Sequence, residues 1–543
     1  MLTLYDAFAQ SCAAAPEQPC LAESASSGGQ VWTYGQVGQI VDELARTYAS
    51  RGWGAGHRVA LAVGNHPRHF FHFLALNRLG ASIVPLNPDY RQGELRYALS
   101  LTAADLVVCQ PERRPLLAQA IEGGGDASLS HTPLVELSQL SDQLSDQLSH
   151  QLSHQLPEPR RAPAPCGQGL DAEAAILFTS GTSGRPKGCV LSNEYVLGAG
   201  AWYRDMGGRL TWHVGQDRLM NPLPVFHMNC SMVAFPATCM THNCLIVPDR
   251  FHASSWWQDC VESQATAIHY LGVMPPALFK QPPGPWEGRH RIRFGLGAGC
   301  DPSLHGAFEE RFGFALVEVW GMTETGRFLG NHHDPRQTHT RAFGREQAPL
   351  QAMVADDEGR PVAIDTPGEL LVRAEGENPR KGFFSAYLND PQATEHAWRG
   401  GWFHTGDVVR QDATGMLYFV DRKKDMVRRS GENISSAEVE AVLAIHPSVL
   451  RVAVLAVADA MRDEEVMAVI IPAQGCEPDQ ALAHELVRYC LQELAYYKAP
   501  GWVLFREQLP TTPTNKIQKN LIFSGASEPT QGAWDCRFMK RRS

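Results

Sequence analysis

The residues best suited to bind an anion form a loop between two short apolar runs. The runs, residues 174–178 and 189–191, predict a pair of buried strands. The ten residues between them include three Gly, four Thr or Ser, one Arg and one Lys. Such a loop can bend tightly at its glycines and direct backbone N–H groups, hydroxyls and cations at one anion. We expect a polyphosphate there, with a plain Gly/Ser turn as the alternative. The candidate ligands are Thr179, Ser180, Gly181, Thr182, Ser183, Gly184 and Lys187.

The loop departs from the common nucleotide-binding pattern G-x-x-x-x-G-K-[ST]. Pro186 stands where the second glycine would be, and Gly188 follows Lys187. The stretch instead resembles the phosphate-binding signature of the adenylate-forming (AMP-binding) superfamily, which includes acyl-CoA synthetases, firefly luciferase and the adenylation domains of peptide synthetases. Four further stretches resemble that family's motifs in the family's order. They are Trp320-Gly-Met-Thr-Glu324, Thr405-Gly-Asp407, Asp421-Arg-Lys-Lys-Asp425 and Asn515-Lys516.

These motifs imply a nucleotide site that uses ATP and Mg²⁺. An aromatic side chain at 320 can stack on a purine, and the family normally has Tyr there. Thr323 offers a hydroxyl to phosphate, and Glu324 offers a hard oxygen to Mg²⁺. A carboxylate such as Asp407 suits the paired hydroxyls of a ribose, although it could also stabilise a turn. The resemblance assigns nucleotide contacts to Gly297, Ala298, Gly299, Trp320, Gly321, Met322, Thr323, Asp407 and Arg422.

The resemblance also assigns residues to the acyl group and to coenzyme A. The family places an aromatic–His pair, here Phe226-His227, beside the acyl pocket, and Gly321 predicts room for an acyl group larger than acetate. Lys516 matches the family's catalytic lysine, although Asn515 stands where Gly is usual. Lys424 lies at the family's hinge, and the coenzyme A region covers Ser430, Gly431 and Glu432. The implied catalytic residues are Lys516, Glu324, His227 and Thr179, and Glu324 is the implied metal ligand.

The elements that must position these residues alternate between strands and helices over residues 1–110. This alternation predicts a mostly parallel sheet with helices on its faces. Together with the resemblance, it implies an α/β fold with a large N-terminal domain of mostly parallel sheets flanked by helices, plus a small β subdomain. A small, mobile α+β C-terminal domain follows. The predicted boundaries are 1–421, 422–523 and a tail, 524–543, without a clear element.

Residues 138–165 form a low-complexity insertion and linker. A Leu recurs at every fourth position from 140 to 156, and the segment that follows is rich in Pro. On a helix a four-residue period drifts by roughly 40° per step, so the Leu stripe would spiral around the helix. We expect a surface insertion that is marginally helical or disordered, and a partner-binding helix is the alternative.

Composition bounds the class of protein. The 543 residues are 44% hydrophobic, which fits a globular protein with more than one domain. A net charge of −10 argues against a nucleic-acid partner. The thirteen cysteines include no C-x-x-C pair and fit reduced thiols. No apolar run is long enough to span a membrane, and no signal peptide is evident, so we expect a cytoplasmic enzyme.

The function implied is that of an acid–thiol ligase, an AMP-forming acyl-CoA synthetase. Such an enzyme converts a carboxylic acid to acyl-AMP and transfers the acyl group to coenzyme A. We expect a medium-sized, aromatic or betaine-type acid. A stand-alone adenylating enzyme that loads an acyl carrier protein is the nearest alternative. A non-catalytic scaffold of the same fold and an oxygenase of the luciferase kind also stay open.

Overall fold

The computed structural model describes residues 3–122, 129–140, 156–164, 167, 169–179, 186–429, 432–459, 462–512, 516–524 and 528–540, without the side chains of residues 424, 432, 433 and 463. The chain divides into two compact units. The first comprises Met1–Gln351 and Arg373–Trp402, and the second comprises Ala352–Val372 and Phe403–Ser543. The second unit therefore includes residues on both sides of the predicted domain boundary at 421/422, which stays a prediction.

The N-terminal part of the first unit alternates helices and strands, as the sequence predicts. The helices are α1 (Leu4–Ala14), α2 (Tyr34–Ser50), α3 (Arg68–Arg78), α4 (Gln92–Thr102) and α5 (Arg114–Glu122). The strands are β1 (Pro19–Glu23), β2 (Val31–Thr33), β3 (Arg58–Ala62), β4 (Ser82–Pro85), β5 (Leu106–Cys109) and β6 (Leu134–Glu136).

The remainder of the first unit carries most of the candidate site residues. Its helices are α6 (Asn193–Asp205), α7 (Phe235–Met240), α8 (Trp256–Glu262), α9 (Met274–Phe279), α10 (Pro302–Phe312) and α11 (Pro391–Ala397), with a π-helix at Asn229–Ala234. Its strands are β7 (Glu173–Thr179), β8 (Lys187–Ser192), β9 (Arg218–Met220), β10 (Cys244–Val247), β11 (Ala267–Leu271), β12 (Phe294–Ala298), β13 (Ala315–Gly321), β14 (Phe328–Gly330), β15 (Ala342–Gly344) and β18 (Ala386–Tyr387).

The second unit is built from the later strands and two helices. Its strands are β16 (Leu350–Ala355) and β17 (Gly368–Ala374), which both extend into the first unit, then β19 (Phe403–Gln411), β20 (Leu417–Arg422), β21 (Val427–Arg429), β22 (Glu432–Ile434), β23 (Val449–Asp459), β24 (Asp463–Pro472), β25 (Trp502–Phe505) and β26 (Trp534–Asp535). Its helices are α12 (Ser436–Ile445) and α13 (Gln480–Glu493).

Two large sheets organise the first unit. One has the order β18-β8-β7-β4-β3-β5-β6, and the other β14-β13-β12-β11-β9-β10-β1-β2. In the second sheet the pairs from β13 to β1 are all parallel, so their carboxyl ends lie along one edge. Ligands of open parallel sheets bind beyond the carboxyl ends of the strands. The sheet order thus decides which candidate residues can share one ligand.

The helices cover these sheets because apolar side chains of the helices pack against apolar side chains of the strands. Trp256 of α8, Leu278 of α9 and Phe308 of α10 are buried in one cluster with Ile268 of β11 and Leu316 of β13. The transfer of each fully buried side chain of this size from water stabilises the fold by about 1.5–3 kcal/mol. The mixed α/β architecture predicted from the sequence is confirmed.

The linker that follows the Leu repeat packs against the first unit. The Trp53 indole donates to the Pro157 carbonyl oxygen at 2.8 Å. His57 Nε2 lies 2.9 Å from the Arg161 carbonyl oxygen, and the Arg161 guanidinium pairs with Asp105. Residues 141–155, which hold most of the repeat, lie outside the described residues. Leu140 and Leu156, on either side of them, are both buried.

The C-terminal tail contains structure that the sequence analysis missed. Strand β26 pairs with β25, and a 3₁₀ turn follows at Arg537–Met539. Lys540 Nζ is fully buried 2.5 Å from Glu465 Oε1, and Arg429 Nε lies 2.9 Å from the same carboxylate. Burial lowers the pKa of Lys540 to about 8. The prediction of a tail without a clear element is wrong, because two-residue pairing and one buried ion pair leave no periodic pattern.

None of the helices within the described ranges is both long and apolar enough to cross a membrane.

Replacing Glu465 tests the buried ion cluster. In Glu465→Gln, Arg429 and Lys540 stay buried but lose their common carboxylate, so we expect the free energy of unfolding to fall by about 3–5 kcal/mol. Urea denaturation followed by circular dichroism measures it. The matched control is Asp535→Asn, which breaks a half-exposed pair with Arg537 and should cost less than about 1 kcal/mol. Equal effects of the two substitutions would contradict the prediction.

Candidate active site

The strand pair β7–β8 positions the two ends of the Gly/Ser/Thr loop. The strands are antiparallel, and Thr179 lies directly opposite Lys187. The predicted strand pair is therefore confirmed. The candidate ligands Ser180, Gly181, Thr182, Ser183 and Gly184 fall in 180–185, outside the described residues.

A buried carboxylate lies beside this strand pair. Glu324 is 4% exposed, and its Oε1 is 3.4 Å from Thr179 Oγ1 and 2.9 Å from the Tyr387 hydroxyl, which donates to it. Desolvation, followed by the nearby Glu324 charge, raises the pKa of the Tyr387 hydroxyl. Tyr387 therefore remains a hydrogen-bond donor. The cluster holds hard oxygen atoms, which are the ligands that Mg²⁺ prefers.

Lys187 lies above the same tyrosine. Its Nζ is 4.6 Å from the centre of the Tyr387 ring and 3.9 Å from Asp390 Oδ2. Strand β18 brings both partners there, because Tyr387 is opposite Cys189 of β8. The ammonium group is thus held beside the end of the loop by one aromatic face and one distant carboxylate.

The segment after β13 is fixed by backbone hydrogen bonds. The Tyr195 hydroxyl donates to the Thr323 carbonyl oxygen at 2.7 Å, and the Thr325 hydroxyl lies 2.9 Å from the Met322 carbonyl oxygen. Trp320 is buried, with its ring centre 6.1 Å from that of Phe343.

Two glycines at the end of β12 are constrained, Gly297 by a close neighbour and Gly299 by its backbone conformation. A Cβ atom on Gly297 would lie 2.3 Å from the Tyr270 carbonyl oxygen, and Gly299 has a φ of +87°. Ala298 stands between them at the end of the strand. The Glu318 carboxylate accepts from the backbone N–H groups of Gly299 and Cys300 at 2.8 and 3.0 Å. This carboxylate holds the predicted adenine segment against the sheet.

The aromatic–His pair lies in a loop that is tied down on both sides. Asn65 accepts from the Val225 N–H at 3.0 Å, and the Ser231 hydroxyl donates to the Val225 carbonyl oxygen at 2.5 Å. The rings of Phe226 and His227 are 4.6 Å apart. Burial lowers the pKa of His227 to about 4, so the imidazole is neutral at neutral pH. His227 therefore brings no positive charge to this loop.

The second unit holds the predicted ribose-binding pair. Arg422 Nε is 2.7 Å from Asp407 Oδ1, and Asp407 is buried. The two residues face each other across the β19–β20 pair. Asp407 lies within β19 instead of in a separate turn, and Gly406 takes a left-handed φ of +70° just before it. This position corrects the turn that the sequence suggested.

The predicted hinge residue and the predicted catalytic lysine also belong to the second unit. Lys424 lies in a 3₁₀ turn, Lys423–Asp425, and Lys516 is exposed on the loop after β25. Lys519 Nζ is 2.8 Å from Glu440 Oε1 of α12. Ser430 and Gly431 lie outside the described residues, and Glu432 begins β22. Asn515 is also outside them.

Comparison with known proteins then identifies the family. Residues 8–384 match the family model of the AMP-binding enzyme, and residues 438–516 match that of the AMP-binding enzyme C-terminal domain. The first match alone covers more than half of the chain. The chain belongs to the AMP-binding enzyme family.

This AMP-binding enzyme is similar to curated ligases over nearly its whole length. It is 30% identical over 506 residues to the crotonobetaine/carnitine–CoA ligase of Shigella flexneri, which covers 91% of this chain and 94% of the relative. The ligase of the same name from Proteus mirabilis is also 30% identical, with 92% and 94% coverage.

Solved structures agree with this assignment. ATP-bound MatB from Rhodopseudomonas palustris matches with a TM-score of 0.78 at 25% identity, and covers 95% of this chain and 97% of its own. The fatty acyl CoA synthetase of Mycobacterium tuberculosis matches with a TM-score of 0.70 at 26% identity, and covers 97% and 99%. The predicted family, the two-domain α/β fold and the class of AMP-forming acid–thiol ligase are confirmed.

The sequence analysis missed several residues around the candidate site. Tyr387 and Asp390 reach Lys187 only because β18 adds to β8. Glu318 precedes the Trp320 motif, and its distance from that motif could have indicated it. Asn221 directly follows β9 and His269 lies on the neighbouring strand β11, and only the sheet order shows that they meet.

The buried histidines predict how stability depends on pH. Burial lowers the pKa values of His69 and His269 to about 3 and that of His227 to about 4. An unfolded His has a pKa of about 6.5, so between about pH 6.5 and 4 only the unfolded chain takes up these protons. The free energy of unfolding should therefore decrease as the pH is lowered through this window, by about 1.4 kcal/mol per pH unit for each proton.

Denaturant unfolding at several pH values from about 7.5, above that window, to about 4.5, within it, measures how the free energy of unfolding changes with pH. His69→Gln should give a shallower slope than the wild type, whereas His213→Gln, at an exposed position, should leave the slope unchanged. The prediction fails if His69→Gln and the wild type lose stability in parallel.

Proposed function

We propose that this enzyme joins a carboxylic acid to coenzyme A through an acyl-adenylate. The family membership and the buried cluster of Glu324, Thr179 and Tyr387 at the end of the phosphate loop support the proposal. A carboxylate does not react with a thiol directly, because oxide would have to leave. Adenylation replaces that leaving group with AMP.

The first unit supplies the ligands of the triphosphate. Thr179, Lys187 and the loop 180–184 hold the β- and γ-phosphates, and Thr323 adds a hydroxyl. Glu324 would hold Mg²⁺, which would neutralise phosphate charge. No group of three or more metal-ligating side chains occurs in the described part of the chain. Mg²⁺ needs none, because one or two carboxylates and the substrate phosphates commonly suffice.

The nucleoside is recognised by residues from several motifs. Trp320, Gly321 and Met322 face the purine together with Gly297, Ala298 and Gly299, whose small size lets a flat ring approach the backbone. Asp407 and Arg422 bind the ribose. The ion pair between the last two fixes the Asp407 carboxylate before the nucleotide arrives.

Lys516 neutralises charge during adenylation. An oxygen of the substrate carboxylate attacks the α-phosphorus, the bond to the bridging oxygen breaks and pyrophosphate leaves. Negative charge gathers on the α-phosphate, and the Lys516 ammonium offsets it without forming a covalent bond. His227 is neutral and shapes the acyl side of the site.

The second half-reaction follows a rotation about Lys424. The coenzyme A sulfur attacks the acyl carbonyl carbon, and the bond to the phosphate oxygen of AMP breaks. The region of Ser430, Gly431 and Glu432 then contacts coenzyme A.

The carboxylic acid is of the betaine type, and aromatic or medium-sized acids are the wider class. The names of the relatives from Shigella flexneri and Proteus mirabilis support this choice. Gly321 also favours an acyl group larger than acetate, because acetate-activating members of the family carry a bulky Trp at this position, which closes the pocket. The Phe226-His227 pair lacks the Asp with which amino-acid-activating relatives hold the substrate ammonium.

The cytoplasm is the compartment that we propose. Every cysteine that the structure describes is a free thiol, as in a reducing environment. A carrier protein as the acyl acceptor and a non-catalytic scaffold remain outcomes of the experiment below.

The decisive experiment uses MgATP and a panel of carboxylates, including betaine-type, aromatic, short and medium acids, with and without coenzyme A. AMP release and the acyl-CoA mass are measured. Acyl-CoA from one class of acid supports the proposal. Adenylate without acyl-CoA points to a carrier protein, and ATP binding without turnover points to a scaffold.

Removal of Lys516 tests its role in adenylation. Lys516→Ala should lower the rate of pyrophosphate release by about 10²–10³-fold, as for other single electrostatic groups. Lys280→Ala, at an exposed helix end, is the matched control and should retain the full rate. A rate within about twofold of the control, far smaller than the expected loss, would remove Lys516 from the mechanism.

A proline at the hinge separates the two half-reactions. Lys424→Pro locks φ near −65° and should block acyl transfer to coenzyme A while adenylation continues. Asp421 accepts hydrogen bonds from Ser435 and Ser436, across the hinge, and rotation must exchange them. Lys424→Ala, which keeps φ free, should retain both half-reactions. Equal loss of both in Lys424→Pro would contradict the hinge.

A further inference from the structure

Two short stretches of the chain pair with each other around the predicted catalytic lysine. The Thr512 N–H donates to the Lys516 carbonyl oxygen at 2.7 Å, and the Lys516 N–H donates to the Thr512 hydroxyl at 3.1 Å. We call residues 510–512 and 516–518 the Lys516 segments. Because the segments are bonded to each other, the position of Lys516 depends on what anchors the pair to the rest of the second unit.

One anchor of the Lys516 segments is apolar. Leu509, just before the first segment, and Ile517, in the second, pack in a cluster with Leu504 of β25. Burial of apolar surface is a non-directional interaction. This contact holds the segments close to the sheet, but an exact placement also needs a directional bond.

Lys519 supplies a directional anchor directly after the second segment. It begins a 3₁₀ turn, and its Nζ donates to the Ser436 hydroxyl at 2.5 Å and lies 2.8 Å from Glu440 Oε1. Ser436 and Glu440 are four positions apart in α12, so they lie on one face of the helix. A single ammonium group thus joins the chain just after Lys516 to the first turns of α12.

The Ser436 hydroxyl has a second partner, the Asp421 carboxylate. Ser436 is fully buried, and its hydroxyl donates to Asp421 Oδ2 at 2.9 Å. A hydroxyl has one proton, so it donates to the carboxylate and accepts from the Lys519 ammonium. The same Asp421 oxygen accepts from the Ala437 N–H at 3.1 Å. Asp421 therefore holds the N-terminus of α12, and Ser436 links it to Lys519.

Asp421 connects this series to the predicted nucleotide ligands. Its Oδ1 accepts from the backbone N–H of Arg422 at 2.7 Å, and the Arg422 side chain belongs to the predicted ribose pair. Only two side chains, those of Ser436 and Lys519, stand between Asp421 and the chain that carries Lys516. Directional bonds along this series can fix the position of Lys516 relative to Arg422.

We propose that Lys519 is a positioning residue, which fixes the Lys516 segments to α12 and thereby sets the place of the Lys516 ammonium during adenylation. The proposal rests on the adenylation proposed above and adds one residue to it. A misplacement of about 1 Å can cost about 100-fold in rate. We therefore expect a loss of about 10- to 100-fold when Lys519 is removed.

The kinetic test replaces the ammonium group by an apolar side chain of similar length. Glu440 keeps the Val454 N–H as a donor in Lys519→Met. With an acid that the carboxylate panel identifies, pyrophosphate release at saturating MgATP should fall by about 10- to 100-fold. Acyl transfer to coenzyme A from supplied acyl-adenylate should continue, because Lys516 has no proposed part in it. Lys519→Arg, which can pair with the same carboxylate, should restore most of the rate.

Lys498→Met is the matched control. Lys498 Nζ lies 2.7 and 2.8 Å from the two carboxylate oxygens of Glu438, so this variant also loses an ion pair on α12. Lys498 lies before β25, outside the Lys516 segments, and its replacement should retain the rate. The proposal is overturned if the two Met variants lose rate equally, or if Lys519→Met loses both half-reactions to the same extent.

Hydrogen–deuterium exchange, read by mass spectrometry, separates this proposal from the proposed function because it needs no substrate. The Thr512 N–H reports on the pairing of the Lys516 segments, and it should exchange several-fold faster in Lys519→Met than in the wild type or in Lys498→Met. Faster exchange, without adenylation of any acid by the wild type, would support the anchoring and reject the ligase activity. Unchanged exchange would overturn the anchoring, whatever the activity.

Discussion

The burial of one carboxylate, that of Glu324, constrains the centre of the first unit. A buried carboxylate is costly unless hydrogen-bond donors surround it. The Glu324 carboxylate accepts hydrogen bonds from the Tyr387 and Thr179 hydroxyls. Its backbone oxygen accepts from the Phe384 N–H. These partners come from two stretches that are both distant from Glu324 in the chain. The two-residue strand β18 must therefore add to β8, and the same pairing places Tyr387 beneath Lys187.

The same logic operates at the other carboxylates of the site. Glu318 is held by the Tyr270 hydroxyl and by two backbone N–H groups, and in return it fixes the segment around Gly299. Asp407 is paired with Arg422 across two strands. In each case the sheet holds the charged group before any ligand arrives. Such preorganisation means that little rearrangement remains for the moment of reaction.

The sequence alone was sufficient to predict features that depend on residues close together in the chain. The strand pair around the predicted phosphate loop follows from the apolar runs that flank it, and helices and strands alternate over residues 1–110 as predicted. The roles of Lys516 and Arg422 came from motifs and stay predictions. The motifs identified the family, because residue types at fixed spacing carry that information directly.

The features that the sequence analysis did not predict depend on contacts between residues that are distant in the chain. Tyr387 and Asp390 belong to no motif, and Asn229 meets His269 only because β9 and β11 are neighbours in the sheet. The tail was missed for the same reason. Its final residues are basic, which suggests a solvated end, yet Lys540 reaches a buried carboxylate 75 positions earlier in the chain.

The anchoring of the linker after the Leu repeat has a consequence for chain length. Leu140 and Leu156 are both buried, and the Arg51 guanidinium holds the Leu156 carbonyl oxygen at 2.7 Å. The two ends of the repeat are thus fixed by the first unit, independently of the number of repeat copies between them. A change in the number of four-residue copies therefore removes none of the contacts at these two anchors, so we expect the gene to tolerate insertions between them.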